Sequence, residues 1–211
     1  MTIAIKLGMT VAAIGLWLVT QRLLGQRQMT FKDRIGDLVH VFTEKWSLYL
    51  NQSPRVADAL LISSSLVIDA VGIFLIVQTL LGTSVRPLLA LLVLFTLRQI
   101  NQAITVLPTP EGMIWRNPGV PSLFVTYGVS NDLFFSGHTA LAVLGALEIA
   151  QLGGGLFLAL AIAVVIFEVA TVILLRAHWT MDVFAGAISA LWVHDIVSRF
   201  APTVDAWIAT I

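Results

Sequence analysis

The chain has 211 residues, 58% of them hydrophobic and only 11% charged, where soluble domains carry about a quarter charged residues. Such a composition excludes a fold with a water-facing surface, and with it disorder, collagen-like repeats and coiled coil. Lys+Arg and Asp+Glu balance at 12 each and cysteine is absent, which excludes a basic nucleic-acid binder, a disulfide framework, a thiolate metal site and a cysteine nucleophile. What remains is an integral membrane protein.

A bilayer core of about 30 Å takes roughly 20 apolar residues as a helix. Six stretches qualify: 7–24, 57–81, 87–107, 137–151, 156–175 and 181–198. The first lacks a small-x-small cleavage site before Gln21-Arg22 and reads as a retained helix rather than a signal peptide. Between the first two lies a polar block, 25–55. Within it Phe31, Ile35, Leu38, Val39, Phe42, Trp46 and Tyr49 recur at helical spacing among Lys32, Asp33, Arg34, Asp37 and Lys45. That pattern predicts an amphipathic helix lying in the membrane interface. A loop rich in Pro and Gly, 108–135, separates the third and fourth spans, and Gly153-Gly154-Gly155 stops the fourth. The expected fold is therefore all-α: one polytopic domain over 1–211, with six transmembrane helices and an interfacial helix after the first.

Parity then constrains the site. With six spans, the connections after the first, third and fifth share one face, so the segments 131–138 and 176–182 converge. The first reads Asn131-Asp132-Leu133-Phe134-Phe135-Ser136-Gly137-His138-Thr139, the second Arg176-Ala177-His178-Trp179-Thr180-Met181-Asp182. Each sets a histidine at the start of a membrane helix, with Ser136 and Thr180 as expected N-caps. Free N–H groups and the positive dipole end there favour an anion, and Gly137 permits close approach to the backbone. His178 and Asp182, four apart, share a helical face. A carboxylate on one imidazole nitrogen leaves the other as nucleophile or base, and His138 is placed to protonate a leaving group. That suits phosphoryl transfer through a phosphohistidine. Two histidines and an aspartate also make a metal-ligand set, and all three could serve as caps alone.

Ser136-Gly137-His138-Thr139 followed about 40 residues on by His178-Trp179-Thr180-Met181-Asp182 resembles the type 2 phosphatidic acid phosphatase superfamily, most closely its sphingomyelin synthase branch. Asp132, four residues before Ser136, and the run from Leu97-Arg98 to Leu107-Pro108-Thr109-Pro110 are similar to that branch as well, and the resemblance covers 63–198, which it implies is the catalytic core. The resemblance implies a lipid phosphotransferase without metal or other cofactor. His178 attacks phosphorus, Asp182 orients it and His138 protonates the departing alcohol. The group then passes to a lipid hydroxyl such as ceramide or diacylglycerol, or to water in a phosphatase. The superfamily's Lys…Arg-Pro motif is missing here, and Thr171 and Val172 stand where Ser-Arg is usual. Phosphate binding is therefore expected from Ser136, Gly137, Arg98 and Arg176, with Arg116 in reserve.

Other polar residues carry secondary expectations. Asp69, Arg98 and Glu168 lie inside predicted spans, where charges pair or mark a functional path. Asp69 and Glu168 are read as supporting residues, together with Asp132, or all three charges as the ion path of a small transporter, a reading from another class. Arg98 has Asp69 or Glu168 as expected partners. His40 is expected against solvent or head groups, and Glu148 and His194-Asp195 as a polar cap at the far end. Trp17, Trp115, Trp179 and Trp192 read as interface anchors. The resemblance implies an exoplasmic or periplasmic site. The basic residues Arg27, Lys32, Arg34, Lys45, Arg55 and Arg116 on the site face, against Lys6, Arg86 and Arg199 opposite, point the other way by the positive-inside rule, and the reading follows the resemblance. Expected partners are phospholipid and lipid-alcohol substrates and membrane lipids, with no nucleic acid.

Overall fold

The computed structural model describes residues 3–26, 35–127 and 133–210, and among these it holds eight helices and no strand. Five are long and apolar enough to cross a bilayer: α1 (Ile3–Gly25), α4 (Pro54–Leu81), α5 (Arg86–Ile104), α7 (Gly155–Leu174) and α8 (Thr180–Ala209). The protein is thus an all-α, multi-pass membrane protein. The fourth expected span is α6 (Gly137–Ala150), only 14 residues. At 1.5 Å per residue it is about 21 Å long, short of the roughly 30 Å hydrocarbon core.

Local chemistry sets the ends. Pro54 and Pro87 occupy first-turn positions of α4 and α5, where a missing N–H costs nothing. The third span was expected to reach 107, but α5 ends at Ile104 because Pro108 and Pro110 follow, and residues before proline avoid the α region. Gly153 and Gly154 adopt φ of 81° and 85°, which only glycine takes without penalty, and they turn the chain from α6 into α7. The last span continues well past residue 198, to Ala209.

The polar block forms two short helices instead of one, α2 (Leu38–Phe42) and α3 (Glu44–Gln52), divided at Thr43; residues 27–34 lie outside the described part. Leu38, Phe42, Trp46 and Tyr49 of the expected apolar stripe are exposed. The face turned inward carries His40, Ser47 and Leu50.

α6 is the axis of the bundle, packed by α4, α5, α7 and α8, and nearly every residue from His138 to Ile149 is buried. Close packing uses small residues. At Gly145 a Cβ would stand 2.2 Å from Val71 Cγ1 of α4. The outer faces of α4, α7 and α8 expose Leu66, Ile73, Ile166, Phe184 and Leu191, a girdle suited to lipid and not to water. The two ends of α6 are polar. At its C-terminal end Glu148 pairs with Arg86 at 2.6 Å and with His194 at 3.6 Å, so the cap expected there is an ion cluster. The N-terminal end carries the histidines.

Candidate active site

Ser136 caps α6 as expected. It is fully buried, and its Oγ accepts from the Thr139 N–H at 3.3 Å and from the Thr139 hydroxyl at 3.1 Å. Such a cap contributes about 1 kcal/mol. Its own N–H donates to the Asp182 carbonyl oxygen at 3.0 Å, which ties the start of α6 to the start of α8. Gly186 makes that approach possible, since a Cβ there would lie 2.6 Å from Ser136 O. The two histidine segments, about 40 residues apart in sequence, therefore meet as parity requires.

At the head of α8 the expected cap is displaced. Trp179 holds the N-cap position and donates its N–H to Asp182 Oδ2 at 3.0 Å. Thr180 is already inside the helix, and both its donors go to Asp37. The N–H reaches Oδ2 at 2.7 Å and the hydroxyl Oδ1 at 2.9 Å. Asp182 is fully buried in the first turn, where the positive helix end favours a carboxylate. His178 Nδ1 stands 3.6 Å from Asp182 Oδ2, beyond the about 2.7–3.2 Å of a hydrogen bond. Among the described residues His178 Nδ1, Asp182 Oδ1 and His138 Nε2 are buried atoms with no hydrogen-bond partner.

His138 and His178 line one cavity together with Gly137, Arg98, Trp115 and Trp17. Arg98 Nε donates to the Phe135 carbonyl oxygen at 2.9 Å. Its guanidinium lies against Gly137, where a Cβ would be 3.0 Å from Nε, so the group that approaches this glycine closely is the arginine. Trp115 packs edge-on to His138 with ring centroids 5.2 Å apart. Trp115 and Trp17, expected as interface anchors, instead wall the cavity.

The remaining expected residues divide. Arg176, at φ 55°, donates Nη2 to the His40 carbonyl oxygen at 2.5 Å and is not among the cavity-lining residues. Asp69 accepts from the Ser122 hydroxyl at 2.8 Å and from the Leu123 and Phe124 N–H groups, pinning a loop. Glu168 is fully buried and accepts from Ser64 at 2.7 Å. Asp69 and Glu168 thus sit in separate networks. Arg116 pairs with Asp58 at 2.6 Å on the surface. Asp132 lies outside the described residues. No group of three or more His, Cys, Asp or Glu among the described residues has a metal-holding arrangement.

Two residues of α2 escaped the sequence reading. Asp37 caps α2 through the Val39 and His40 N–H groups at 3.0 and 3.2 Å while it holds Thr180. Burial alone would raise its carboxyl, but the donors from Thr180 and His40 hold it below its ordinary value. His40, expected at the surface, is buried. Its Nε2 lies 3.0 Å from the His178 carbonyl oxygen and its ring stacks on Trp179 at 5.2 Å. Burial, aided by Arg176, depresses its pKa. Trp179, far from anchoring an interface, is buried with its indole N–H on the Pro108 carbonyl oxygen at 2.8 Å. The loop that carries His178 is thus gripped from outside by α2.

Residues 36–199 match the family model described as AtPDCT1/2, the phosphatidylcholine:diacylglycerol cholinephosphotransferases. The chain belongs to this family. No curated protein and no solved structure matches it. Membership makes the protein a phospholipid phosphotransferase, and the matched segment contains both histidine motifs, Arg98, and the Asp37 and His40 of α2.

Proposed function

We propose that the protein moves phosphocholine from phosphatidylcholine to diacylglycerol through a phosphohistidine at His178. The observation that carries this reading is the placement of His178, His138 and Arg98 on one cavity wall, with Asp182 buried behind His178, in a chain of a lipid phosphotransferase family. Asp182 holds the proton of His178 Nδ1, leaving the Nε2 lone pair to attack phosphorus. The 3.6 Å pair closes to a hydrogen bond as the substrate loads, as catalytic pairs commonly do. The phosphorus–oxygen bond to the glycerol breaks, and the departing alkoxide takes a proton from His138. An acceptor hydroxyl then returns a proton to His138 and attacks phosphorus, the N–P bond breaks, and His178 is restored. Arg98 neutralises charge on the non-bridging oxygens, and burial keeps water from the intermediate.

The same proposal covers the membrane frame. α6 acts as a short sixth pass, shielded by the helices around it, and α2 and α3 lie at the interface with Leu38, Phe42, Trp46 and Tyr49 toward lipid. The site opens on the exoplasmic side.

The test is exchange of head-group-labelled phosphatidylcholine with chain-labelled diacylglycerol by purified protein in mixed micelles. Label is expected in a new phosphatidylcholine, dependent on diacylglycerol and abolished in His178→Ala. Labelled phosphocholine released without an acceptor would make the protein a hydrolase. Transfer to ceramide in preference to diacylglycerol would replace the acceptor.

A further inference from the structure

A second cavity opens beside the first, between α1, α4 and α5. Ala13 and Ile14 of α1, Ile76 of α4, and Leu88 and Leu91 of α5 form its walls. The polar member of the lining, Thr10, spends its hydroxyl on the Lys6 carbonyl oxygen at 2.9 Å. Trp17, Phe95 and Phe124 line both cavities, with Trp17 5.8 Å from the Phe95 ring and 5.9 Å from the Phe124 ring. The junction they form is held in place on the Phe124 side. A Cβ on Gly72 would meet the Phe124 ring at 2.4 Å, and the Phe124 N–H is held by Asp69 at 3.0 Å.

We infer that this groove receives an acyl chain of a lipid that reacts at His178, with Trp17 hydrogen-bonding its ester linkage. The inference rests on the proposed function and names how that site selects its lipid. A glycerolipid carries its polar and apolar parts end to end, so its site needs a polar and an apolar cavity side by side, as these two are through their shared residues Trp17, Phe95 and Phe124. Between head group and chain a glycerolipid has ester carbonyls, which are hydrogen-bond acceptors. At the junction of the two cavities Trp17 is 9% exposed, and its indole Nε1 is buried with no hydrogen-bond partner among the described residues. A buried donor without an acceptor is costly, and an ester oxygen relieves it.

The energetics decide what the groove controls. Moving a chain out of water is favourable, but a lipid's chain already lies among hydrocarbon, so the transfer gains little. The groove therefore sets which chains bring their phosphodiester to His178, and discrimination appears in kcat/KM. α1, which forms one wall, lies outside the matched segment 36–199.

The experiment measures kcat/KM of the full chain in mixed micelles with dioctanoyl and dioleoyl phosphatidylcholine at fixed acceptor, then with diacylglycerols of both lengths at fixed donor. Ala13→Trp fills the groove and Ala13→Leu fills it partly, so that one variant remains if the other does not fold. The long-to-short ratio is expected to fall about tenfold or more in one arm, and the arm that moves identifies the lipid. A parallel comparison uses ester- and ether-linked phosphatidylcholine and diacylglycerol. The wild type is expected to prefer the ester in the same arm, and Trp17→Phe to lose that preference. Ratios unchanged in both arms, with no ester preference, would overturn the inference. His178→Ala turning over at the wild-type rate would instead overturn the proposed function, and with it the assignment of the groove to a lipid that reacts at His178.

Discussion

At the scale of single residues the proposed chemistry turns on the pair His178 and Asp182. From its buried position Asp182 accepts from the Trp179 N–H, and the same Oδ2 stands 3.6 Å from His178 Nδ1, the distance that closes in the proposed mechanism. Asparagine keeps the shape, and its amide oxygen can take the place of Oδ2, accepting from Trp179 and facing His178 Nδ1. It removes the negative charge that, in the proposed mechanism, polarises the Nδ1–H and strengthens Nε2 as a nucleophile. Asp182→Asn is expected to leave the thermal midpoint in detergent near the wild-type value and to lower kcat by on the order of 10²–10⁴, the usual scale of such contributions. Undiminished kcat would remove Asp182 from the mechanism. Both histidines, Asp182 and the Ser136 cap were legible in the sequence because they fall in two short runs at helix starts, where capping chemistry acts over three or four residues. Asp37 and His40 were not. Their partners Thr180 and His178 lie 143 and 138 positions away, and a single polar contact across that distance leaves no periodic trace.

Between elements, two contacts hold the site together. α8 meets α6 at Gly186, where an added methyl group would press on Ser136 O at 2.6 Å. Overpacking of this kind costs typically 1–3 kcal/mol, about the value expected here. Gly186→Ala should lower the thermal midpoint and reduce transfer by separating Asp182 from the α6 cap. A variant as stable and active as wild type would show that the helices tolerate the shift. Glycine is common in membrane helices, so nothing in the sequence marked this one. The second contact is α2 on the catalytic loop. His40 has its folded pKa below the ordinary 6.5, chiefly through burial, with Arg176 adding and Asp37 and the His178 carbonyl opposing. The folded state therefore favours neutral His40. Its contribution to stability is complete above pH 6.5 and is lost as pH falls below that value toward the depressed pKa. Asp37, held below its ordinary 3.8, keeps its charge through the same window. Wild type is expected to lose thermal stability between about pH 7.5 and about pH 5.5, with a shallower loss in His40→Asn. Parallel slopes would show that His40 does not titrate against folding.

Over the whole molecule, the bundle has two polar ends joined by α6. The site end gathers the histidines, Arg98 and the α2 clamp, while Arg86, Glu148 and His194 close the other. Five long apolar helices were legible from span counting because apolar runs near 20 residues are a strong signal. α6, with 14 residues, is shorter than that signal requires. With no cysteine in the chain, sidedness is directly testable. Asn117→Cys, in the loop after α5, is expected to react with a membrane-impermeant maleimide from the exoplasmic side, and Leu152→Cys, after α6, from the cytosolic side. The reverse pattern would put the site on the cytosolic face, as the distribution of basic residues suggests.

The central claim is that a phosphocholine group rests on His178 between donor and acceptor. Intact-mass measurement of the protein, mixed with phosphatidylcholine in the absence of acceptor and quenched at alkaline pH, tests it most directly. A mass increase equal to one phosphocholine group is predicted, mapped to the peptide carrying His178, lost in His178→Ala and discharged on addition of diacylglycerol. Transfer to diacylglycerol at full rate in His178→Ala would contradict the account.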